Sequence, residues 1–270
     1  MPTALVTGAS SGMGLETARK LLEKGFTVYA VARRVERMRD LEQLGAVTLG
    51  MDITKEEDIA AVVERIVADQ GGVDVLVNNA GFGMYGAMED TSVDDARYQF
   101  EVNLFGLARL TQLVLPYMRK KGAGRIVNIS SMGGKIYTPL GSWYHATKHA
   151  LEGWSDCLRL ELAPLGIDVV IIEPGIIETE FGEVMVEPML ERSGFTAYGD
   201  LAHKLAVSTR ESYRPGRSTS ASRLADVIVR SITARRPRTR YVAGKYGRPL
   251  ITARKWLGDR MFDRMVMRAV

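Results

Sequence analysis

The chain has 270 residues, a length that suits one large domain with a well-buried core. One cysteine excludes an internal disulfide, three scattered histidines offer no metal-ligand spacing, and no stretch approaches the roughly 20 apolar residues of a membrane-spanning helix. The net charge of +4 conceals a basic tail, residues 235–270, where eleven Lys/Arg against two Asp/Glu give +9; this tail carries no recognised nucleic-acid-reading motif, so we expect no nucleic-acid partner.

The N-terminus passes directly into a strand-like run without a signal-peptide pattern, so we expect a cytoplasmic protein. That run, Thr3 to Thr7, leads through a glycine-rich turn into the helical pattern Leu15 to Lys24. This order brings backbone N–H groups and a helix N-terminus to the strand's carboxyl end, where a pyrophosphate binds well. We expect the turn to bind a dinucleotide; the alternative is a plain turn whose glycines serve packing. The expected contacts are Gly8, Ser10, Ser11, Gly12, Met13 and Gly14.

A second buried strand is predicted from Phe26 to Ala32, and Arg33 and Arg34 follow it. An acidic residue at this strand end would bind the adenosine ribose, whereas arginine favours a 2′-phosphate. The two arginines therefore favour NADP(H) over NAD(H). The alternative is that both are merely solvated at a helix start.

Two further predicted strands end in polar residues. Val47 to Met51 is followed by Asp52, which is either an adenine-contacting carboxylate or a turn residue, and Thr54 is expected to cap a helix from Glu56 to Asp69. The other strand, Val73 to Val77, leads to a tip whose amides can bond unpaired backbone groups and whose small residues allow a ligand to approach. We expect this tip both to hold the sheet together and to form the floor of the coenzyme site. Its residues are Asn78, Asn79, Ala80 and Gly81.

A long helix is predicted from Val93 to Lys121, because its apolar residues recur at helical spacing. Asn103 is polar on or near the apolar face of that helix. Either the neighbouring backbone forms hydrogen bonds with its side chain, or Asn103 holds a water near the ammonium group of Lys148.

The pattern that most directly indicates chemistry consists of Ser131, Tyr144 and Lys148. Ser131 follows the apolar run 125–130, and Tyr144 and Lys148 lie at i and i+4 of a predicted helix from Trp143 to Leu162, so their side chains share one face. A fixed cation lowers the pKa of a phenol from about 10, which would let Tyr144 exchange a proton with a substrate oxygen. The alternative is an unremarkable helical pair.

The sixth strand, Ile167 to Ile172, is followed by Pro174, Gly175 and Thr179, and a last strand is predicted from Tyr241 to Ala243. Regular alternation of strands and helices predicts an α/β fold: a Rossmann-type, doubly wound parallel sheet of about seven strands in a single domain to residue 247. In such a sheet the strand-end residues meet at one edge.

These motifs resemble those of the short-chain dehydrogenase/reductase family, in its compact branch of hydroxysteroid, retinol and carbonyl-reducing enzymes. The resemblance covers Thr3 to Thr179 and extends loosely to Tyr241. It is carried by Thr7-Gly8-x-x-x-Gly12-x-Gly14, Asn78-Asn79-Ala80-Gly81, Asn103, Ser131, Tyr144-x-x-x-Lys148, and Pro174-Gly175 through Thr179.

The resemblance implies that Tyr144 is the catalytic acid/base, that Ser131 polarises the substrate oxygen and that Asn103 positions a proton-relay water. It implies that Lys148 holds the nicotinamide ribose and lowers the pKa of Tyr144, while Thr179 and the backbone near Ile177 fix the carboxamide. One departure is Ser11, where many NADP-preferring members carry a basic residue, so the coenzyme preference rests on the two arginines after the second strand.

Residues 180–221 fall where this architecture places a substrate lid, and they are rich in methionine and other apolar residues. Such surfaces adapt to varied shapes, so we expect a hydrophobic substrate that is steroid-, retinoid- or acyl-like. We expect Ser131, Tyr144, Phe181, Met185 and Met189 to contact it. The alternative is that the lid residues are core under a long loop.

A basic amphipathic extension is predicted for residues 248–270, with Leu250, Leu257, Met261 and Met265 on one stripe. We expect it to cover the substrate pocket or a neighbouring subunit; the alternative is peripheral contact with a membrane surface. The long helices around Asn103 and Lys148 pair between subunits in the family, which implies a homodimer or homotetramer.

The first functional hypothesis is an NADP(H)-dependent oxidoreductase that interconverts a ketone or aldehyde and an alcohol. The second is a 3-oxoacyl-carrier-protein reductase of lipid synthesis, which shares every motif above. The third is a non-catalytic NADP(H) sensor, against which the complete set of four catalytic candidates argues.

Overall fold

A computed structural model describes residues 1–214 and 216–270. The strands are β1 (Thr3–Thr7), β2 (Thr27–Ala32), β3 (Val47–Gly50), β4 (Val75–Asn78), β5 (Gly124–Ile129), β6 (Ile167–Pro174), β7 (Ile177–Glu178), β8 (Thr219–Ser220) and β9 (Arg240–Ala243). Seven of them form one parallel sheet in the order β3-β2-β1-β4-β5-β6-β9, and β7 pairs with β8 in a short parallel ladder beside it.

Helices cover both faces of the large sheet, as the alternating pattern predicts. They are α1 (Gly12–Glu23), α2 (Arg39–Gln43), α3 (Glu56–Gln70), α4 (Val93–Phe100), α5 (Gly106–Lys121), α6 (Ser142–Leu162), α7 (Phe181–Ser193), α8 (Gly199–Tyr213), α9 (Ala221–Thr233), α10 (Gly247–Leu257) and α11 (Asp259–Ala269). Apolar residues of α1, α2 and α9 form the core on one face, and those of α3, α5 and α6 form the core on the other.

The sheet order places the site. The chain runs outward from β1 through β2 to β3 and then returns to β4 on the opposite side of β1. The strand order therefore reverses between β1 and β4, and ligands of open parallel sheets bind in the crevice outside the carboxyl ends at such a point. The Rossmann-type α/β fold predicted from the sequence is confirmed.

The long helix predicted from Val93 to Lys121 is interrupted. A π-helical turn, Glu101–Phe105, separates α4 from α5 and carries Asn103. The side chain of Asn103 binds the backbone of Phe82 on both its N–H and its carbonyl, and next to the turn Gly106 lies tight against the carbonyl of Ile53. These contacts fix the chain at this turn, which hydrophobic spacing alone does not reveal.

Other boundaries also differ. The helix after the glycine turn begins at Gly12 rather than Leu15, and the two arginines after β2 are followed by a 3₁₀ turn, Val35–Met38, before α2 begins. The prediction that Thr54 caps α3 is wrong, because Lys55 occupies the N-cap and the Thr54 hydroxyl donates to Asp52 Oδ1 at 2.9 Å.

The predicted stripe on residues 248–270 is wrong as well. Gly258, with φ of +69°, divides the segment into α10 and α11. Phe262 is fully buried, whereas Met261 and Leu257 are exposed. Phe262 packs edge-on against Tyr137 with ring centroids 5.2 Å apart, and Arg254 lies over both rings. None of the helices in the ranges 1–214 and 216–270 is both long and apolar enough to cross a bilayer.

Candidate active site

A cavity of about 490 Å³ lies at the point where the strand order reverses. Its walls come from the turn after β1, the ends of β2 and β3, the segment after β4, and the start of the lid. They include Gly8, Ser10, Ser11, Gly12, Met13, Arg33, Arg34, Asp52, Asn79, Ala80, Gly81, Thr179 and Phe181. The structure thus brings thirteen of the residues singled out from the sequence to one cavity.

The glycine turn is packed too closely to hold a side chain at Gly14. Gly14 lies so close to Gly8 that a Cβ would collide with the Gly8 carbonyl oxygen and would come within 2.5 Å of Asn79 Nδ2. Gly12 has φ of +53°, which favours glycine. Ser11 precedes α1 without a side-chain capping bond, and the first turn of α1 holds no acidic residue. The N–H groups of this helix end therefore face the cavity free for an anion, and a pyrophosphate fits there.

Threonine and asparagine side chains tie the floor of the cavity together. The Thr7 hydroxyl accepts from the N–H groups of Asn79 at 3.0 Å and Ala80 at 2.9 Å, and Asn79 Nδ2 donates to the Thr7 carbonyl at 2.9 Å. Asn78 is buried and donates to Asn128 Oδ1 at 2.9 Å. Asn78 is therefore scaffold, whereas Asn79 to Gly81 line the cavity, as the strand-tip pattern predicted.

The basic rim of the cavity is formed by Arg33 and Arg34, both exposed. Arg33 donates to the Tyr98 hydroxyl at 3.2 Å, and Tyr98 is a cavity residue that the sequence analysis did not single out. Two exposed guanidinium groups at the end of β2 fit a phosphate on an adenosine ribose.

Asp52 lies near this rim as a turn residue. Its carboxylate accepts bonds from the backbone and hydroxyl of Thr54 at 3.0 and 2.9 Å. Burial opposes ionisation, but these bonds and the charge of Arg33 hold the pKa of Asp52 below its usual value. The turn alternative is thus confirmed, and the side chain still lines the cavity.

Ser131 and Tyr144 lie together beyond the end of β5. Ser131 caps the 3₁₀ turn Met132–Gly134 by accepting from the Gly133 N–H at 3.0 Å. The Tyr144 ring is buried beside Tyr85 and Phe181, each with a ring centroid 5.7 Å away. Burial raises the pKa of Tyr144 to about 12, and a hydrogen bond with Ser131 offsets that rise only in part. A phenol in this state is protonated at neutral pH.

Lys148 is buried one helical turn after Tyr144 on α6. Its ammonium donates to the Ile129 carbonyl at 2.9 Å, and burial lowers the pKa of Lys148 to about 8 against the opposing charge of Glu152. The prediction that Lys148 lowers the pKa of Tyr144 is wrong for this structure, because the cost of burying a phenolate dominates.

Asn103 is fully buried, and its amide is occupied on both sides. Its Oδ1 accepts from the Phe82 N–H at 3.0 Å, and its Nδ2 donates to the Phe82 carbonyl at 2.9 Å and the Thr147 hydroxyl at 3.1 Å. The interpretation that neighbouring backbone satisfies this side chain is confirmed. A Cβ on Gly81 would lie 3.1 Å from Asn103 Oδ1 and 3.8 Å from Lys148 Nζ, so both side chains lie next to Gly81, which lines the cavity.

The residues after β6 divide into two groups. Thr179 lies on the cavity wall, where a Cβ on Gly12 would be 3.0 Å from its methyl group. Pro174, Gly175 and Ile177 pack instead against the end of β9 and the residue after it: the Gly175 N–H donates to the Ala243 carbonyl at 2.7 Å, and Ile177 borders Gly244. The structure does not bring these three residues to the cavity wall.

The start of the lid joins the cavity to an apolar cluster. Phe181 lines the cavity and touches Tyr144. Met185 and Met189 are buried and form the cluster with Tyr85, Tyr144, Val186, Leu205 and Ala206. Met189 has no exposed surface, so it belongs to the core of the lid, as the alternative interpretation held. Val270 packs against the same cluster, and the Ala269 carbonyl accepts from Ser208 of α8 at 3.1 Å.

Sequence reasoning missed His145, which fixes the loop beside Tyr144. Its Nδ1 donates to the Gly133 carbonyl at 2.8 Å, and its Nε2 accepts from the Thr138 N–H at 3.0 Å. Burial lowers the pKa of His145 to about 4, so the ring is neutral and can accept. Its position next to Tyr144 in sequence was the available signal.

A buried ionic cluster under α6 was also missed. Glu152 Oε2 lies 2.9 Å from Lys135 Nζ and 3.1 Å from Arg240 Nη2, and Arg240 Nε is 3.3 Å from Glu173 Oε1. Burial and the neighbouring charge of Glu152 raise the pKa of Glu173 to about 7. These residues come from four separate segments, so spacing along the chain gave no signal.

A family model and two relatives show which family this chain belongs to. The family model for short chain dehydrogenases matches residues 2–189. A probable short-chain type dehydrogenase/reductase of Helicobacter pylori, VdlC, is 33% identical over 265 residues, covering 97% of this chain and 95% of that protein. The 3-ketodihydrosphingosine reductase of Bacteroides thetaiotaomicron is 42% identical over 178 residues, covering 66% of this chain and 64% of the reductase.

Solved structures of short-chain dehydrogenases and related enzymes have the same fold. A short-chain dehydrogenase from Streptomyces avermitilis is 36% identical with a TM-score of 0.80, covering 94% of this chain and 92% of that one. A serine dehydrogenase complexed with NADP⁺ is 28% identical with a TM-score of 0.77, covering 90% and 94%. A Burkholderia phymatum short-chain dehydrogenase/reductase in complex with NAD is 25% identical with a TM-score of 0.78, covering 93% and 90%. The chain therefore belongs to the short-chain dehydrogenase/reductase family, and it is an oxidoreductase that acts on CH–OH groups with a nicotinamide coenzyme.

Proposed function

We propose that this protein is an NADP(H)-dependent oxidoreductase that interconverts a ketone or aldehyde and an alcohol on a hydrophobic substrate. The observation that carries the proposal is the position of the Tyr144 phenol. It lies between the coenzyme cavity, which it meets through Phe181, and the apolar cluster of the lid. A substrate held by the cluster would present its oxygen to the phenol and its carbon to the cavity.

The chemistry divides among four residues. When bound, the coenzyme supplies or accepts the hydride at the nicotinamide ring. Tyr144 exchanges the proton with the substrate oxygen, and the Ser131 hydroxyl orients that oxygen. Lys148 donates to the coenzyme ribose, and Asn103 holds the segment after β4 against α6 through its bonds to Phe82 and Thr147. Because burial keeps Tyr144 protonated at neutral pH, the phenol can donate its proton to a carbonyl oxygen when a ketone is reduced.

The preference for NADP(H) is supported by Arg33 and Arg34 at the cavity rim. Each can bind a phosphate oxygen pair through a planar fork of N–H groups. The similar structures hold either coenzyme, one with NADP⁺ and another with NAD, so the proposal rests on this chain's own two arginines.

A hydrophobic substrate is supported by the walls around Tyr144. Tyr85, Phe181 and Met185 present aromatic and thioether surface to the phenol, and such surface binds apolar groups of varied shape. The Bacteroides relative is named a 3-ketodihydrosphingosine reductase, and that name agrees with a ketone as the substrate. We therefore propose a ketone carrying a long alkyl chain or a fused apolar ring system.

We propose that residues 180–221 act as the substrate lid and that residues 248–270 cover it. Support comes from Val270, which packs on the apolar cluster, and from Asp263 on α11, which accepts from the Tyr137 hydroxyl at 2.8 Å. These contacts favour a cover over the pocket rather than a helix lying on a membrane. A homodimer or homotetramer is proposed through the exposed apolar residues Phe105 and Leu160, and light scattering of the purified protein tests it.

The experiment is a panel of ketones assayed with NADPH and with NADH by absorbance of the reduced coenzyme. Apolar ketones of increasing chain length should be reduced with rising kcat/KM, and NADPH should be preferred. Turnover of small polar carbonyls alone would contradict the substrate class. Turnover of 3-oxoacyl-carrier-protein alone would favour the lipid-synthesis alternative, and binding of coenzyme without turnover of any carbonyl would favour a sensor.

A further inference from the structure

Glu180 joins the two sides of the coenzyme cavity at its mouth. Its Oε1 lies 2.8 Å from Arg37 Nη1, and its Oε2 lies 3.6 Å from Arg34 Nη2. The arginines belong to the segment after β2, whereas Glu180 is the residue that precedes lid helix α7. Arg34 and Glu180 both line the cavity. The ion pairs therefore form a bridge over the mouth between two parts of the chain that are distant in sequence.

The bridge is weakly held. The side chains of Arg34, Arg37 and Glu180 are 46%, 46% and 50% exposed, and ion pairs at that exposure contribute little to stability. A phosphate group offers three acceptor oxygens and close to two negative charges, and it matches the guanidinium fork at least as well as a carboxylate does. A phosphate arriving at Arg34 would therefore displace Glu180 from that arginine.

Displacement would not carry the carboxylate far. On one side of Glu180, Thr179 contacts Gly12 of the glycine turn, and the Thr179 hydroxyl accepts from the Phe181 N–H at 3.3 Å. On the other side, the Phe181 ring is held against Tyr144 and Gly83. Glu180 is thus anchored at the cavity rim, and its charge stays close to any phosphate that Arg34 binds.

We propose that Glu180 is a residue that sets coenzyme specificity, by competing as an anion with the 2′-phosphate of NADP(H) for Arg34, while Arg37 holds the carboxylate beside that arginine. Glu180 then limits the preference for NADP(H) that the arginines create, and it has little effect on a coenzyme without that phosphate. This inference rests on the proposed function, because it takes the rim arginines to be the 2′-phosphate site.

The test measures binding of 2′,5′-ADP and 5′-AMP by isothermal titration calorimetry to the full-length wild type, Glu180→Gln and Glu183→Gln. These ligands differ only in the 2′-phosphate. Glu183 is an exposed glutamate three residues further along, in the same lid helix, and it serves as the matched control for loss of one negative charge.

We expect Glu180→Gln to tighten binding of 2′,5′-ADP about 3- to 10-fold through loss of like-charge repulsion and of competition for arginine. Its affinity for 5′-AMP should change less than about twofold, and in Glu183→Gln both affinities should change less than about twofold. The gain for Glu180→Gln should shrink at 0.5 M NaCl, since exposed charges are screened.

An unchanged ratio of the two affinities in Glu180→Gln would overturn the inference, and so would weaker binding of 2′,5′-ADP, which would mean that Glu180 positions the arginines. A failure of the proposed NADP(H) preference is distinguishable. It would appear in the wild type as equal affinity for the two ligands, and Glu180 would still be supported if its replacement then created a preference for 2′,5′-ADP.

Discussion

The rings of Phe181 and Tyr144 lie 5.7 Å apart with their planes tilted by 56°. Phe181 is the first residue of lid helix α7, and Tyr144 lies on α6 at the end of the sheet. The lid therefore contacts the phenol through one aromatic side chain, and this contact forms the wall between the coenzyme cavity and the apolar cluster.

Replacing Phe181 by alanine removes this wall. We expect KM for an apolar ketone to rise about 10-fold, because most of the apolar area of one aromatic side chain is lost from the pocket. Since the phenol itself is untouched, kcat should change less than about threefold. Steady-state kinetics with NADPH measure both. Phe195→Ala is the control, because Phe195 is 93% exposed; equal effects of the two variants would refute the role of Phe181.

The charge of Lys148 predicts a pH dependence of coenzyme binding. Burial lowers the pKa of Lys148 to about 8, so the ammonium is charged at pH 7 and largely neutral at pH 9. If the ammonium binds the coenzyme ribose, the Kd for NADPH should rise about 10-fold between these pH values. Fluorescence titration measures it. Lys148→Met should bind weakly with no such slope, and a wild-type Kd that is equal at pH 7 and pH 9 would contradict the assignment.

Gly14 and Gly153 are both helical glycines, and they make a matched pair. A Cβ on Gly14 would collide with the Gly8 carbonyl and Asn79, whereas a Cβ on Gly153 would meet nothing within 4 Å. Gly14→Ala should lower NADPH affinity at least about 10-fold by distorting the glycine turn. Gly153→Ala should keep that affinity and gain up to about 1 kcal/mol of stability. Coenzyme titration and thermal denaturation of both variants check this. Normal NADPH binding by Gly14→Ala would contradict the role of the glycine turn in binding the coenzyme.

The ionic cluster below α6 predicts how stability depends on pH. Because burial and Glu152 raise the pKa of Glu173 to about 7, above that of an unfolded glutamate, the folded protein holds a proton that the unfolded chain has released. The stabilisation that comes from this bound proton is present at low pH and is lost as pH rises through 7. The glutamine of Glu173→Gln does not titrate, so this pH-dependent contribution is absent from the variant.

The stability of Glu173→Gln relative to wild type should therefore increase by about 1–3 kcal/mol between pH 5 and pH 8. Urea denaturation at the two pH values measures this difference. Glu183→Gln, at an exposed site, should show no change relative to wild type between them. A difference for Glu173→Gln that is the same at both pH values would show that Glu173 is charged in the folded protein.

Much of the site could be predicted because its residues follow strands. Gly8, Arg33, Asn79 and Ser131 each come after a buried apolar run, and parallel strands bring their carboxyl ends to one edge. Tyr144 and Lys148 are four residues apart on α6, so helical geometry alone places them on one face. Local pattern and sheet topology together suffice for such residues.

Features that depend on contacts between distant segments could not be predicted. The π-helical turn at Asn103 follows from its bonds to Phe82, and the bridge at Glu180 follows from the position of Arg37, 143 residues earlier. The pKa of Tyr144 was predicted in the wrong direction for the same reason. Its protonation is set by burial under Tyr85 and the lid, which spacing along α6 does not encode.

The central claim is that Tyr144 transfers the proton while the coenzyme is bound beside it. The most direct test is turnover of an apolar ketone with NADPH by Tyr144→Phe, measured together with the Kd for NADPH. We predict a loss of kcat of about 10²- to 10⁴-fold, with the Kd for NADPH kept within about threefold, because the ring and its packing are retained. Retention of kcat within tenfold of wild type, or a loss of turnover that merely follows a loss of NADPH binding, would contradict the claim.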